Sequence, residues 1–288
     1  MRFWVNGRIM PAEQATVAVL DHGFTVGDGV FETLKTAVAD REVVPFALDR
    51  HVRRLARSAV GMGMPTPDAD EVRTALAAVC AANPDLAEGG RLRVTYTSGP
   101  GPLGSERTEG AASLVVACSA AHPWPATTVL ALCPWPRNER SPVQGLKSTS
   151  YAENVLALAH ARSVGAGEAL LSNLRDEVCE GTGSNIFLVI DDELLTPPLA
   201  SGCLAGITRE LVVEWCQEAG IDVTQRPIPD ADLGSAQEIF ITSSTRDVHP
   251  VSAVVDRTGA PRWQAGPAPR TAEVAALYAE QSAARWNP

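Results

Sequence analysis

The sequence predicts a two-domain α+β protein, and three observations carry that reading. With 288 residues the chain is longer than one hydrophobic core usually serves. Its apolar spacing switches repeatedly between the two-residue period of strands and the 3.6-residue period of helices. A proline-rich, non-periodic stretch, Ala120-Ala121-His122-Pro123-Trp124-Pro125, interrupts the pattern and reads as a linker. We therefore place an N-terminal domain at 1–119, the linker at 120–126 and a C-terminal domain at 127–288.

In chain order, residues 2–5 and 16–20 read as short strands around the hairpin signal Asn6-Gly7. Residues 21–35 form a glycine-punctuated turn followed by alternating Val30, Glu32 and Leu34. Its glycines fit either backbone passing close to a neighbour or a tight loop. Residues 45–62 form a helix with apolar Leu48, Val52, Leu55 and Val60 and a candidate cap at Asp49. Of its arginines, Arg50, Arg53, Arg54 and Arg57, three are expected on a solvated face, leaving one to point inward at an anion. A second helix at 68–82 ends at Asn83-Pro84, and strands follow at 91–97 and 113–118. Between them, Gly99-Pro100-Gly101-Pro102-Leu103-Gly104 has the spacing of a dinucleotide loop. Two prolines fill it and no helix pattern follows, so it reads as a rigid loop.

The second half gives strands at 127–132, 168–171, 185–190, 193–196 and 238–242, and helices at 152–162, 209–219 and 271–285. The stretch Gly206-Ile207-Thr208 before the second of these helices offers open amides and a hydroxyl, an anion cradle; an ordinary cap at Thr208 fits equally. The strand at 238–242 runs into three hydroxyl residues, Ser243, Ser244 and Thr245.

Bulk properties narrow the partners. A net charge of -10 and a pI near 5.0 argue against nucleic acid or an anionic membrane and for small-molecule work. No apolar run spans a bilayer, and the first residues turn polar too soon for a signal peptide, so a cytoplasmic protein is expected. The 6 cysteines are dispersed without a C-x-x-C pair, which favours free buried thiols over disulfides or zinc. The 5 histidines are scattered too, and no metal site is expected.

Lys147 lies in Gly145-Leu146-Lys147-Ser148-Thr149-Ser150-Tyr151, among apolar, small and hydroxylic residues, with no acid nearer in sequence than Glu139 or Glu153. A desolvated ammonium is costly, so a lysine in such surroundings sheds its proton or bonds a carbonyl. A neutral amine in a partly dry pocket condenses with an aldehyde cofactor; an exposed loop lysine fits this segment as well. Glu180, ahead of Gly181-Thr182-Gly183-Ser184-Asn185, adds an acid before small residues and a strand. Together with the arginine-rich helix, the cradle and the hydroxyls, this is what an aldehyde cofactor with a phosphate and a pyridine nitrogen requires.

Six stretches, 24–33, 50–55, 145–154, 180–187, 204–209 and 240–250, give the chain its resemblance to the class IV, fold-type IV pyridoxal-phosphate enzymes. That group holds branched-chain and D-amino-acid aminotransferases, (R)-selective amine transaminases and aminodeoxychorismate lyase. The resemblance implies a small N-terminal domain, a larger C-terminal domain with the cofactor at their interface, pyridoxal 5'-phosphate as that cofactor, and a homodimer. It implies that Lys147 holds the cofactor covalently and moves the proton, and that Glu180 faces the pyridine nitrogen. Arg54, the amides of Ile207 and Thr208, and the hydroxyls of Ser243 and Ser244 match the phosphate site. Tyr151 matches a tyrosine that bonds the ring oxygen in many members.

The same resemblance bears on the substrate. D-amino-acid aminotransferases of the bacillus type carry an arginine and a histidine where this chain has Leu103 and Ser105, and a helping tyrosine where it has Phe31, so the usual carboxylate trap is missing. Arg93 falls where branched-chain enzymes have an arginine, and Arg91, Arg137 and Thr245 are further candidates on the substrate side. Residues 27–33 and 147–151 resemble the D-specific and lyase members more. The expected activity is amino transfer between a small amino acid or amine, of D or (R) configuration, and a 2-oxo acid. Aminodeoxychorismate lyase and then a branched-chain L-amino-acid aminotransferase are the alternatives.

Overall fold

The computed structural model describes all 288 residues, Met1–Pro288, and divides into two compact units. The first takes Met1–His122 with Leu146–Tyr151 and Arg285–Pro288; the second takes Pro123–Gly145 and Ala152–Ala284. The break at His122 lies inside the stretch read as a linker. The lysine segment departs from the sequence reading, since it groups with the first unit.

In the first unit, β1 (Arg2–Val5) and β2 (Arg8–Pro11) form a hairpin across Asn6-Gly7, both at positive φ, 44° and 87°. The two-residue turn returns the chain at once, so the second strand is 8–11 and the strand expected at 16–20 does not form. A short helix α1 (His22–Thr25) precedes β3 (Gly29–Ala39) and β4 (Glu42–Pro45). Helices α2 (Leu48–Gly61) and α3 (Ala69–Ala82) follow, then β5 (Gly90–Thr97) and β6 (Ser113–Ala120). The sheet runs β2-β1-β6-β5-β3-β4 with every pairing antiparallel.

One face of this sheet, including Val30, Leu34, Leu92, Val94 and Val116, packs on Leu55, Leu76 and Val79 of the helices. Each such side chain, fully buried, contributes roughly 1.5–3 kcal/mol. The other phase of β3, Phe31, Thr33 and Lys35, stands opposite Thr95, Arg93 and Arg91 of β5. Helix α2 does not start on an Asp49 cap: Ala47 is its N-cap at φ 53°, held by its N–H donating to the Trp286 carbonyl at 2.8 Å. Asp49 sits in the first turn and accepts from Arg73 and Asn287 instead. The loop at 99–104 leads into no helix, as read. It is tied down by His22, whose Nε2 lies 2.8 Å from the Pro102 carbonyl, while Arg107 holds Asp28 through two contacts of 2.6 Å.

The second unit comprises β7 (Thr128–Leu132), α4 (Ala152–Ser163), β8 (Glu168–Ser172), β9 (Val178–Gly181), β10 (Asn185–Ile190) and β11 (Glu193–Thr196). It continues with α5 (Ile207–Glu218), β12 (Val223–Gln225), β13 (Glu238–Ser243), β14 (Asp247–Val255), β15 (Pro261–Gln264) and α6 (Pro269–Ala284). Its sheet order is β12-β11-β10-β13-β14-β7-β8-β9, with β15 beside β14. Pro250 inside β14 hides that strand from a sequence reading.

Strands β14, β7 and β8 are parallel, so their first residues share one end of the sheet. The antiparallel pairings bring the last residues of β9 and β13 and the first of β10 to that same end. Leu130, Leu170, Ile186, Leu188 and Ile241 fill the core below, and Phe187 stacks on Phe240 at 4.8 Å. All six cysteines are buried and unpaired, and no helix is long and apolar enough to cross a membrane.

Candidate active site

The lysine segment lies along the start of β3, before β4 has begun to pair. Phe31 N–H donates to the Lys147 carbonyl and Thr149 N–H to the Gly29 carbonyl, both at 2.8 Å, and Lys147 N–H donates to Ser58 Oγ at 3.2 Å. The hydroxyls of Thr149 and Ser150 donate to the Gly27 carbonyl at 2.9 Å. Gly27 has φ 71°, and a Cβ there would stand 2.8 Å from Ser150 Oγ, so the motif's glycine serves a close backbone approach.

Four residues expected from the sequence meet here. Lys147 Nζ is 4.4 Å from the centroid of the Phe31 ring, the Arg93 guanidinium is 3.3 Å from the same centroid, and Tyr151 meets Phe31 edge-on at 5.4 Å. Both cations are at cation–π distance. Arg91 lies two cross-strand pairs from Arg93, opposite Lys35, with its Nε buried and without a hydrogen-bond partner.

Arg54 is the inward arginine of α2. It donates Nε to Glu32 Oε1 at 2.7 Å and Nη2 to Oε2 at 2.6 Å, while His51 Nδ1 lies 2.7 Å from Oε2. All three side chains are buried. Burial alone would raise the Glu32 carboxyl, but the Arg54 charge and hydrogen bonds, then those of His51, bring it down to about 2. Burial likewise pushes His51 below the usual imidazole range, against the pull of Glu32. The anion that Arg54 meets within the first unit is therefore one of the chain's own carboxylates.

In the second unit, Glu180 is the penultimate residue of β9, with Oε2 accepting from Leu204 N–H at 2.8 Å. Its Oε1 is 3.4 Å from Arg137 Nη2. Arg137, read from the sequence as a cation for substrate, here faces Glu180, the Asn154 oxygen at 3.3 Å and Glu153 at 3.5 Å. Asn154 in turn donates to the Thr182 carbonyl at 2.7 Å.

Helix α5 begins one residue before Thr208, on Gly206 as N-cap and with no side-chain cap, so Thr208 is a buried first-turn residue rather than the cap. Gly206 permits the approach of Asn185, whose Oδ1 would collide with a Cβ there, and Asn185 donates to the Leu204 carbonyl at 2.8 Å. Ser243 closes β13, and Ser244 and Thr245 form the following turn, half-buried. One residue earlier, the Thr242 hydroxyl is buried without a partner, and Thr242 pairs with Asn185 in register.

Several of these residues were not read from the sequence as site residues. Glu32 carried a signal: it shares the inward phase with Val30 and Leu34, and an acid in an apolar phase needs a buried partner. Asn154 and Thr242 carried none, because nothing local distinguishes them from other polar residues.

A sequence model of the class IV aminotransferases matches residues 29–254. A putative branched-chain-amino-acid aminotransferase of Methanocaldococcus jannaschii is 33% identical over 270 residues, covering 89% of each chain. The D-alanine aminotransferase of Bacillus licheniformis is 30% identical over 274 residues, covering 91% of this chain and 92% of its own. A branched-chain amino acid aminotransferase of Thermobaculum terrenum, solved in its PLP-bound holo form, superposes with a TM-score of 0.84 at 26% identity, covering 99% of this chain and 94% of its own. With both relatives aligned over nearly its whole length and the family pattern spanning residues of both units, the chain belongs to the class IV aminotransferases, fold-type IV enzymes that use pyridoxal 5'-phosphate.

Proposed function

We propose that the protein moves an amino group between a small D-amino acid or (R)-amine and a 2-oxo acid, with Arg93 taking the substrate carboxylate. The observation that carries this reading is the shared Phe31 ring: an amine, Lys147 Nζ, and a guanidinium, Arg93, both lie within 4.4 Å of its centroid. Leu103, in the loop where D-specific enzymes place their cations, is 82% exposed and apolar, so that loop offers this chain no charge. A planar guanidinium binds a carboxylate through two parallel hydrogen bonds, which fixes the orientation of an amino acid as well as its charge.

The residues present fit pyridoxal 5'-phosphate. The start of α5 has no side-chain cap, the Ser243 and Ser244 hydroxyls make no hydrogen bond within the chain, and the Thr242 hydroxyl is a buried donor without a partner. Such a set suits a phosphate. We assign Lys147 to the covalent anchor and to proton transfer at the substrate carbon, with the Phe31 ring packing against its amine. Glu180, held by Leu204 N–H and Arg137, is assigned to the proton of the pyridine nitrogen. The Ile207 and Thr208 amides and Ser243 and Ser244 are assigned to the phosphate, and Tyr151 to the ring oxygen. Arg54 is assigned to the phosphate side through its position in the family pattern, with two of its nitrogens committed to Glu32. When bound, the cofactor supplies the electron-withdrawing ring that takes up charge from the substrate carbon.

The exposed apolar side chains Phe24 at 72%, Leu103 at 82% and Val26 at 46% support a homodimer as the working form. The test of the whole reading is the visible absorbance of the purified holoenzyme, followed after adding D-alanine or L-leucine with no 2-oxo acid present. Bleaching by D-alanine, abolished by Lys147→Ala, is expected. Bleaching by L-leucine alone would replace the D reading with a branched-chain one. Indifference to both, with turnover of aminodeoxychorismate needing no acceptor, would replace amino transfer with lyase chemistry. In Arg93→Met a rise in KM for D-alanine, with little change for an amine lacking a carboxylate, is expected; equal effects would remove Arg93 from the carboxylate role.

A further inference from the structure

Four segments at one end of the second unit's sheet are joined by side chains that the chemistry above does not use. Arg246, at the turn into β14, places Nη1 2.7 Å from Glu168 Oε2 at the start of β8. Glu168 Oε1 accepts from Gly183 N–H and from the Ser184 hydroxyl, each at 2.8 Å, just ahead of β10. Trp124, ahead of β7, lies against the Arg246 guanidinium at 3.9 Å from its ring centroid and donates its indole N–H to the Thr245 carbonyl at 2.8 Å. His249, buried in β14, meets the edge of the same indole at 6.5 Å.

Burying an ion pair costs several kcal/mol per ion and is repaid only when the geometry is good and the remaining lone pairs are used. Here Glu168 is 2% exposed and the Arg246 side chain 10%; Oε1 takes two hydrogen bonds, while Nη1 stands buried 2.7 Å from Oε2 as a charge contact without hydrogen-bond alignment. The pair adds no apolar surface to the core; what it supplies is registration of one loop against another. The loop with most to gain is the turn 243–246. Its one internal backbone bond runs from Arg246 N–H to the Ser243 carbonyl at 3.2 Å, and the Ser243 and Ser244 hydroxyls take no partner from the chain.

We propose that Glu168, Arg246 and Trp124 form a clamp that positions the Ser243 and Ser244 hydroxyls for the cofactor's phosphate. Trp124 grips the Thr245 carbonyl, Glu168 and the indole face grip the Arg246 side chain, and the serines immediately before them are held in place. All three are positioning residues acting through the turn, and the inference rests on the assignment of Ser243 and Ser244 to the phosphate.

The test compares two ligands on the protein stripped of its cofactor: pyridoxal 5'-phosphate and pyridoxal, which lacks the phosphate. Affinities are measured for the native chain, Trp124→Phe, Arg246→Met, Glu168→Gln and the double variant Ser243→Ala/Ser244→Ala. Trp124→Phe keeps a smaller aromatic ring for Arg246 and removes the indole N–H, so it carries the test if Arg246→Met does not fold. The clamp predicts about tenfold or greater weakening toward pyridoxal 5'-phosphate, equivalent to about 1.4 kcal/mol, with pyridoxal affinity within about twofold of native. Equal weakening toward both ligands would mark the cluster as general scaffolding and overturn the proposal. If the double serine variant shifts the ratio of the two affinities and the clamp variants do not, the clamp fails while the phosphate assignment stands. If the double variant leaves the ratio unchanged, the assignment fails and takes the clamp with it.

Discussion

Glu32 with Arg54 in the first unit and Glu180 with Arg137 in the second both set a carboxylate against an arginine among the candidate residues, and the two pairs are built to different standards. Glu32 and Arg54 meet through two hydrogen bonds of 2.6 and 2.7 Å, His51 closes the carboxylate's other side at 2.7 Å, and all three are buried. Glu180 and Arg137 stand 3.4 Å apart, each a little over a tenth exposed, and Arg137 is shared among Glu180, Glu153 and Asn154 at 3.3–3.5 Å. The first pair is a finished salt bridge inside a hydrophobic core. In the second, the carboxylate takes its short hydrogen bond from Leu204 N–H at 2.8 Å and stands farther from the guanidinium.

The largest expected effect would break or sharpen the first half of that contrast. Glu32→Gln leaves the Arg54 guanidinium buried against a neutral amide, and removing one partner of a buried pair costs about 3–5 kcal/mol. The urea midpoint of unfolding should fall accordingly; a change within about 1 kcal/mol would mean the pair is not structural. Its pH dependence follows from the depressed carboxyl. A group lowered from 4.5 to about 2 in the folded chain stabilises fully above 4.5, and that contribution is lost as pH falls toward 2. His51, pushed below 6.5, acts in the same direction, because the unfolded chain takes up its proton first as pH falls. The native protein should therefore lose stability steadily on acidification below about 6.5, and Glu32→Gln should show a flatter profile between 4.5 and 2.

For the second pair the expected loss moves from stability to rate. Glu180→Ala should lower kcat by about a hundredfold, roughly 2.7 kcal/mol of barrier, with a smaller loss of cofactor affinity. Its unfolding midpoint should stay close to native. Arg137→Met, which removes the charge beside Glu180, should lower kcat about tenfold, again with little change in stability. Should Arg137→Met unfold the protein while leaving the rate of the folded fraction intact, the loose pair would join the tight one as scaffold.

Several of the residues at issue were legible in the sequence, whereas their pairing was not, for identifiable reasons. Lys147, Glu180 and the hydroxyl turn stood out because their neighbours are small, glycine-rich or polar where the flanking elements are apolar. The hairpin at Asn6-Gly7 was legible for the same local reason, and its second strand was missed because the tight turn pairs 8–11 at once. The partners of the two arginines were not legible: Glu32 lies on a strand 22 residues before Arg54, and Glu180 is 43 residues after Arg137. Local patterns fix which residues are unusual, whereas the sheet pairings decide whom they meet. The lysine segment shows this most directly, since it makes hydrogen bonds to Phe31 and Gly29 and groups with a unit whose N-terminal stretch ends at His122.

The smallest expected effect tests the same distinction at helix starts, where neither an arginine nor a buried pair is involved. Helix α3 is closed by Asp68, whose carboxylate accepts from Asp70 N–H at 2.9 Å and Glu71 N–H at 3.3 Å. Helix α5 starts on Gly206 with no side-chain cap, although serine, threonine, asparagine or aspartate there would satisfy those amides. Asp68→Ala should cost about 1 kcal/mol and leave both kcat and cofactor affinity unchanged, because a capped start has no further task. Adding inorganic phosphate to the cofactor-free protein should raise the unfolding temperature of the native chain and of Asp68→Ala by the same increment, since the anion binds elsewhere. A phosphate effect that vanished in Asp68→Ala would put the anion at the wrong helix and undo the division between starts closed for stability and starts left open for a ligand.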